Sequence, residues 1–158
     1  PTVDPIRDLE IIETEMMLAD LESIQKRLEK NNKKNVDEEQ LKILEIASDC
    51  INNSKDIQIL YEQFDKKLIN QSGLLSLKPK IFVCNVDEAS VQNGNKYTQA
   101  FIDKFGEKNT LIVSADIENQ INQLENEEKE NYMEMIGLKR TGLNMLIQKG
   151  YNLSLIHI

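Results

Sequence analysis

The side chains of this sequence that can do chemistry gather in two short polar turns, Asn85-Val86-Asp87-Glu88 and Ser114-Ala115-Asp116. Each turn closes a brief apolar run, Ile81 to Cys84 in one case and Thr110 to Val113 in the other. Short runs of this kind, bounded by breakers such as Lys78-Pro79, suit strands covered on both faces of a parallel sheet. Ligands of open α/β sheets bind in the crevice beyond the carboxyl ends of the strands, and both turns fall at that edge. Their side-chain and backbone groups are equipped to hydrogen-bond the edge of a ligand. Other chemistries are poorly provided for. His157 is the single histidine, which leaves no Ser-His-Asp arrangement and no metal site of His/Cys spacing. Cys50 and Cys84 stand far apart without C-x-x-C spacing, the usage of a reducing compartment.

The elements that must position these turns follow from periodicity. Asp4-Pro5 opens a helix of about seven turns. One stripe on it is Leu9, Ile12, Met16 and Ala19; a second, at heptad spacing, is Leu18, Leu21 and Leu28. Lys30 to Asn35 is a polar loop, and Asp37 with Gln40 is a capping-box-like restart for a helix carrying Leu41, Leu44, Ala47 and Ile51. The pair is expected to form an antiparallel, coiled-coil-like α-hairpin. A third helix is predicted from a cap at Asp56 to near Gly73, with Ile57, Leu60, Tyr61, Phe64 and Leu68 on one face. The second half reads as strand, helix (Tyr97 to Phe105, closed by Gly106), strand, then short helices around Glu127 to Ile136 and Leu143 to Lys149, stopped by Gly137 and Gly150. The expected class is α/β, with a helical part over 1–76, a parallel-stranded part over 77–153 and an unassigned tail over 154–158. Two parallel strands do not make a stable sheet by themselves, so the remaining strands are expected to lie outside this sequence.

Bulk composition agrees with a folded, cytoplasmic protein. At 40% apolar and 29% charged residues, the chain is neither disordered nor a disulfide scaffold. Its net charge of −8 argues against a global nucleic-acid surface and against DNA as a partner, while leaving room for a local basic patch. No apolar run approaches the ~20 residues that span a bilayer, and no signal peptide opens the sequence.

The order of motifs resembles a known family. P-loop GTPases read guanine with an Asn-Lys-x-Asp element after one strand and a Ser-Ala-Lys element after the next. A carboxylate there accepts both guanine N1–H and N2–H. Here Val86 stands for the Lys and Glu88 for the Asp, which weakens guanine preference, and Asn85 and the Val86 backbone remain to meet an adenine edge. An N-x-x-E element directly after L-x-L-K-P and a strand resembles the YchF family of Obg-like, TRAFAC-class P-loop ATPases. Val3-Asp4-Pro5, Asp8 to Glu15, Leu18-Ala19-Asp20-Leu21, Gly142-Leu143-Asn144 and Gly150-Tyr151 resemble further family segments in the same order. The resemblance covers roughly Val3 to Leu153. It implies the C-terminal part of an OBG-type G domain preceded by its helical insertion, ATP preferred over GTP, Mg²⁺ in the whole enzyme, and association with the ribosome. Carried over by position, it sets Asn85, Val86 and Glu88 at the base, with Ser114 and Ala115 beside it.

The sequence also departs from that family. It contains no G-x-x-x-x-G-K-[S/T] loop, the element that cradles phosphates and supplies a Mg²⁺-binding hydroxyl, and its residues include no segment read as a TGS domain. The chain reads as an internal piece that binds nucleotide weakly and does not hydrolyse it, with catalytic groups upstream of Pro1. Each feature also has a plainer reading. Asn85 to Glu88 can be a generic polar loop, Cys84 a buried inert thiol and Cys50 core filler. Lys26, Arg27, Lys30, Lys33 and Lys34 can be a solvated hairpin tip or a contact to RNA phosphates. The alternative function is a non-catalytic helical module docking on a protein or ribosomal partner.

Overall fold

The computed structural model describes residues 3–31 and 37–155; Lys33, Lys34 and His157 lie outside them. The described chain separates into two compact units, one spanning Ile6–Pro79 and a second whose main segment begins at Lys80. Among the described residues no helix is long and apolar enough to cross a membrane.

The first unit is helical. α1 runs Pro5–Asn31 and α2 Glu38–Asn52. The Asp37 side chain caps α2 by accepting from Glu39 N at 3.0 Å. Gln40 does not complete a capping box: its Nε2 donates to the Leu68 carbonyl at 2.8 Å, which turns the side chain away from the Asp37 backbone and leaves its Oε1 buried without a partner among the described residues. The predicted third helix is divided. A 3₁₀ turn at Ile57–Ile59 leads into α3 (Leu60–Gln63), Phe64 is extended at φ −132° and ψ 152°, and α4 follows over Lys66–Ser72. The break turns the chain so that Ile57, Leu60 and Ile69 all enter one core with Ile24, Ile43, Leu44, Ala47, Cys50, Leu74 and Leu77. Gly73 ends α4 at φ 71°, the left-handed cap that glycine adopts without a Cβ clash.

The seam expected on α1 is displaced. Ile12 and Leu18 are 52% and 58% exposed, whereas Asp20 and Ile24 are buried at 2% and 0%. Asp20 sits inside because its carboxylate is fully employed: it accepts from Leu75 N (2.7 Å), Ser76 N (2.8 Å) and Ser76 Oγ (2.6 Å). Arg27 donates to Ser72 O at 2.5 Å, and Tyr61 to Leu77 O at 2.6 Å. Side chains from α1, α2 and α3 thus fasten the segment from Leu68 to Leu77, whose backbone groups would otherwise lack partners.

The second unit is α/β. β1 (Phe82–Asn85) and β2 (Thr110–Val113) pair in parallel, with Phe82 opposite Thr110 and Asn85 opposite Val113. α5 (Lys96–Phe105) makes the crossover between them. Its start is capped by Asn95 and Thr98 in a reciprocal box. Phe101 and Phe105 pack on Phe82, with ring centroids 5.3 and 4.8 Å away. β1 is not covered on both faces as expected, since Val83 is 47% exposed. α6 (Ala115–Gln123), which the periodicity reading omitted, starts directly after β2; Ile117 and Ile121, one turn apart, are its buried face. α7 spans Asn126–Met135, where Glu128 accepts from Glu125 N at 3.3 Å. α8 spans Gly142–Leu155, so Gly150 does not stop the last helix.

Candidate nucleotide-base site

The pairing register sets Asn85 and Val113 level, so the two polar turns leave the sheet side by side. Asn85 fastens them together: its Oδ1 accepts from Ala115 N at 2.9 Å. Val86 prolongs the ladder by one residue, its N–H donating to Val113 O at 2.8 Å. That bond removes the Val86 N–H from ligand recognition and leaves its carbonyl. Asp87 is spent locally, accepting from Ser90 N at 2.9 Å to cap the 3₁₀ turn Glu88–Ser90. Glu88, next on the same turn, is exposed.

Ser114 is 1% exposed and begins α6. Its hydroxyl is buried without a hydrogen-bond partner among the described residues, a state that buried polar atoms rarely keep. Ala115 beside it is exposed. The structure thus brings Asn85, Val86, Ser114 and Ala115 to one edge, with Glu88 on the adjoining turn. Lys30 is exposed on α1 in the other unit.

Three residues of this neighbourhood were not singled out from the sequence. Gln120 of α6 donates to Glu88 Oε1 at 2.6 Å, and Tyr132 of α7 donates to Gln120 Oε1. Glu118 accepts from Gly142 N (2.5 Å) and Leu143 N (3.2 Å), gripping the first turn of α8. A signal for the last was present, since a carboxylate is favoured at a helix start, but only the fold brings residue 118 to residue 142.

Cys84 is partly buried, and burial pushes its thiol pKa up. A protonated thiol is a poor nucleophile, so the inert reading fits it. Cys50 lies in the helical core, its thiol also pushed up, first by burial and then by the charge of Asp49. Among the described residues no three His, Cys, Asp or Glu side chains gather as metal ligands. A cavity of about 410 Å³ lies at the other end of the strands, beside Ile81 and Asn109. Lys149, in its wall, is occupied by the Glu107 and Lys108 carbonyls. It is remote from the turns just described.

Parallel strands joined by a helical crossover, with paired polar turns at their carboxyl ends and a helical unit before them, define part of an α/β fold of the P-loop NTPase class. Comparison with known proteins makes the relationship particular. The chain is 33% identical over 161 residues to the ribosome-binding ATPase YchF of Bacillus subtilis, and 32% identical over 159 residues to that of Haemophilus ducreyi. It resembles the structure of the Schizosaccharomyces pombe YchF GTPase with a TM-score of 0.73 at 26% identity. In each case the match covers 96% of this chain and 44% of the relative. No family model matches the sequence. The resemblance read from the motifs is therefore a resemblance to YchF in both sequence and fold, and it spans less than half the length of those proteins.

Proposed function

We propose that the second unit binds the base of a purine nucleotide, adenine in preference to guanine, as the base-recognition part of a YchF-type, Obg-like ATPase that acts at the ribosome. Residues 1–76 are then its helical insertion and 77–153 the corresponding part of the nucleotide-binding domain. The observation that carries this reading is the bond from Ala115 N to Asn85 Oδ1: it holds both polar turns at one edge, where sheets of this class take their ligands. With that oxygen engaged, Asn85 offers its Nδ2 as a donor to a ring nitrogen. The Val86 carbonyl offers an acceptor to an exocyclic amine, and Glu88 offers a carboxylate.

The residues present fit the base and not the rest of ATP·Mg²⁺. The sequence holds no phosphate-cradling loop, so the grip of this chain is confined to the base and its hydrolytic rate is expected to be nil. Titration of ¹⁵N-labelled protein with adenosine and guanosine monophosphates tests the reading: the amides of Val86, Glu88 and Ala115 should shift, more with the adenine nucleotide. Shifts confined to other regions would overturn it.

A second reading is favoured by the exposure of Ile11, Ile12 and Leu18 along α1. On that reading the helical unit docks on a protein or ribosomal partner without catalysis. Loss of ribosome co-sedimentation on neutralising Lys30, Lys33 and Lys34, with nucleotide binding unchanged, would support it.

A further inference from the structure

Glu88 is not a free carboxylate, and what holds it bears on which base it reads. We propose that Gln120, oriented by Tyr132, is a specificity-determining positioning residue that turns Glu88 away from guanine and leaves it suited to adenine. The inference rests on the base-site reading above and adds residues from two further helices to it.

Gln120 Nε2 donates to Glu88 Oε1 at 2.6 Å, while Gln120 Oε1 accepts from the Tyr132 hydroxyl. A side-chain amide has one donor end and one acceptor end. The reversed amide would set its oxygen against the carboxylate, two acceptors face to face, so Glu88 sets the sense of the amide and the Tyr132 hydroxyl, able to donate or accept, completes it as the donor. The three side chains come from the 3₁₀ turn after β1, from α6 and from α7, and each of the latter two is half-buried.

Guanine is read by a carboxylate that aligns both oxygens with N1–H and N2–H. Gln120 takes one lone pair of Glu88 Oε1 and draws the group toward α6, an orientation that opposes the paired alignment guanine needs. Adenine asks less: its N6 amine donates one bond, and the neighbouring N1 is an acceptor that a second carboxylate oxygen would repel. A carboxylate with one oxygen already engaged and the other open matches that edge. The Gln120–Tyr132 pair thus supplies discrimination by removing the contact a competitor needs.

The experiment compares wild type with Gln120→Met, which keeps the volume and loses the amide, and with Tyr132→Phe, which loses only the hydroxyl. Dissociation constants for adenosine and guanosine monophosphates are measured on the whole chain by ¹⁵N shift titration, with melting midpoints as a check on folding. The ratio of the two constants is the readout, because a purely structural role would weaken both nucleotides together. Wild type should prefer the adenine nucleotide. Gln120→Met should lower that preference about tenfold, the scale of one hydrogen bond to a charged group, and Tyr132→Phe should lower it less in the same direction. If wild type shows the preference and both variants keep it, the positioning role is refuted while the base site stands. If wild type shifts at neither Glu88 nor Ala115 with either nucleotide, the base site is refuted and the positioning role with it.

Discussion

Asn85 illustrates how much one side chain can do at a strand end. Its amide oxygen serves the backbone of the neighbouring turn, so its role precedes any ligand. Asn85→Ala should lower stability by about 1 kcal/mol, the net worth of an exposed hydrogen bond, read as a drop in the urea midpoint. It should also abolish base-induced shifts at Ala115. Next to it, Cys84 should alkylate more slowly at pH 8 than a free cysteine, because its raised pKa leaves less thiolate; stopped-time labelling with iodoacetamide measures this. Tyr61 is affected in the same direction in the helical unit, where burial raises its phenol pKa and its hydroxyl donates to Leu77 O. A folded-state pKa above the unfolded value gives stability that is complete below about pH 10 and is lost as pH rises through the folded value. Tyr61→Phe should cost about 1–2 kcal/mol at neutral pH and should remove this group's part of the alkaline loss in pH-dependent urea melts.

At the level of elements, the helical unit depends on side chains reaching across to the segment that closes it. Asp20→Ala would leave two amide groups and a hydroxyl without their acceptor in a buried place, at a cost of about 2–4 kcal/mol. Chemical denaturation should show a large fall in midpoint, and Asp20→Asn a smaller one, since the amide keeps one accepting oxygen. Asp20 also marks the boundary of what the sequence made legible. The two strands, read at 81–84 and 110–113 and found at 82–85 and 110–113, the crossover helix and the Gly73 and Gly106 caps follow from local pattern, because apolar runs and glycine conformations are local signals. The buried face of α1 does not, because a carboxylate in mid-helix reads as solvent-facing until the amides of Leu75 and Ser76 are brought to it. The division of the third helix at Phe64 is hidden for a similar reason: its apolar spacing suits one continuous face, and only the shared core decides for two shorter pieces. In the candidate site, Asn85 and Glu88 stand in a recognisable motif, whereas Gln120 and Tyr132 are joined to it only through tertiary structure.

Across the whole molecule, the buried apolar core of the first unit is drawn, among the described residues, from positions 24 to 77. A chain of residues 3–79 should therefore express as a helical protein with a cooperative thermal transition; a featureless melt would count against that independence. The second unit exposes Leu143, Leu146, Ile147 and Tyr151 along α8 and Val83 on β1. Apolar surface repeated along one helix favours association. Sedimentation of the chain should shift to larger species as concentration rises, and Leu146→Glu with Ile147→Lys should reverse the shift.

Gly142 carries a constraint of another kind, one that belongs to the history of the sequence. A Cβ built on it would lie 2.7 Å from Cγ1 of Val113, so the first residue of the last helix and the last residue of the second strand share a space that holds one side chain. A side chain at 142 therefore requires Val113 to give way, and Glu118 to shift as well, since its Oε1 would lie 3.1 Å from the new Cβ. Among descendants of a common ancestor, alanine at 142 should arise in lineages where 113 has already become small, and a glycine at 142 should persist wherever 113 stays branched. The two sites, far apart in the gene, should therefore bear substitutions in a fixed order, and that order can be read from a family tree.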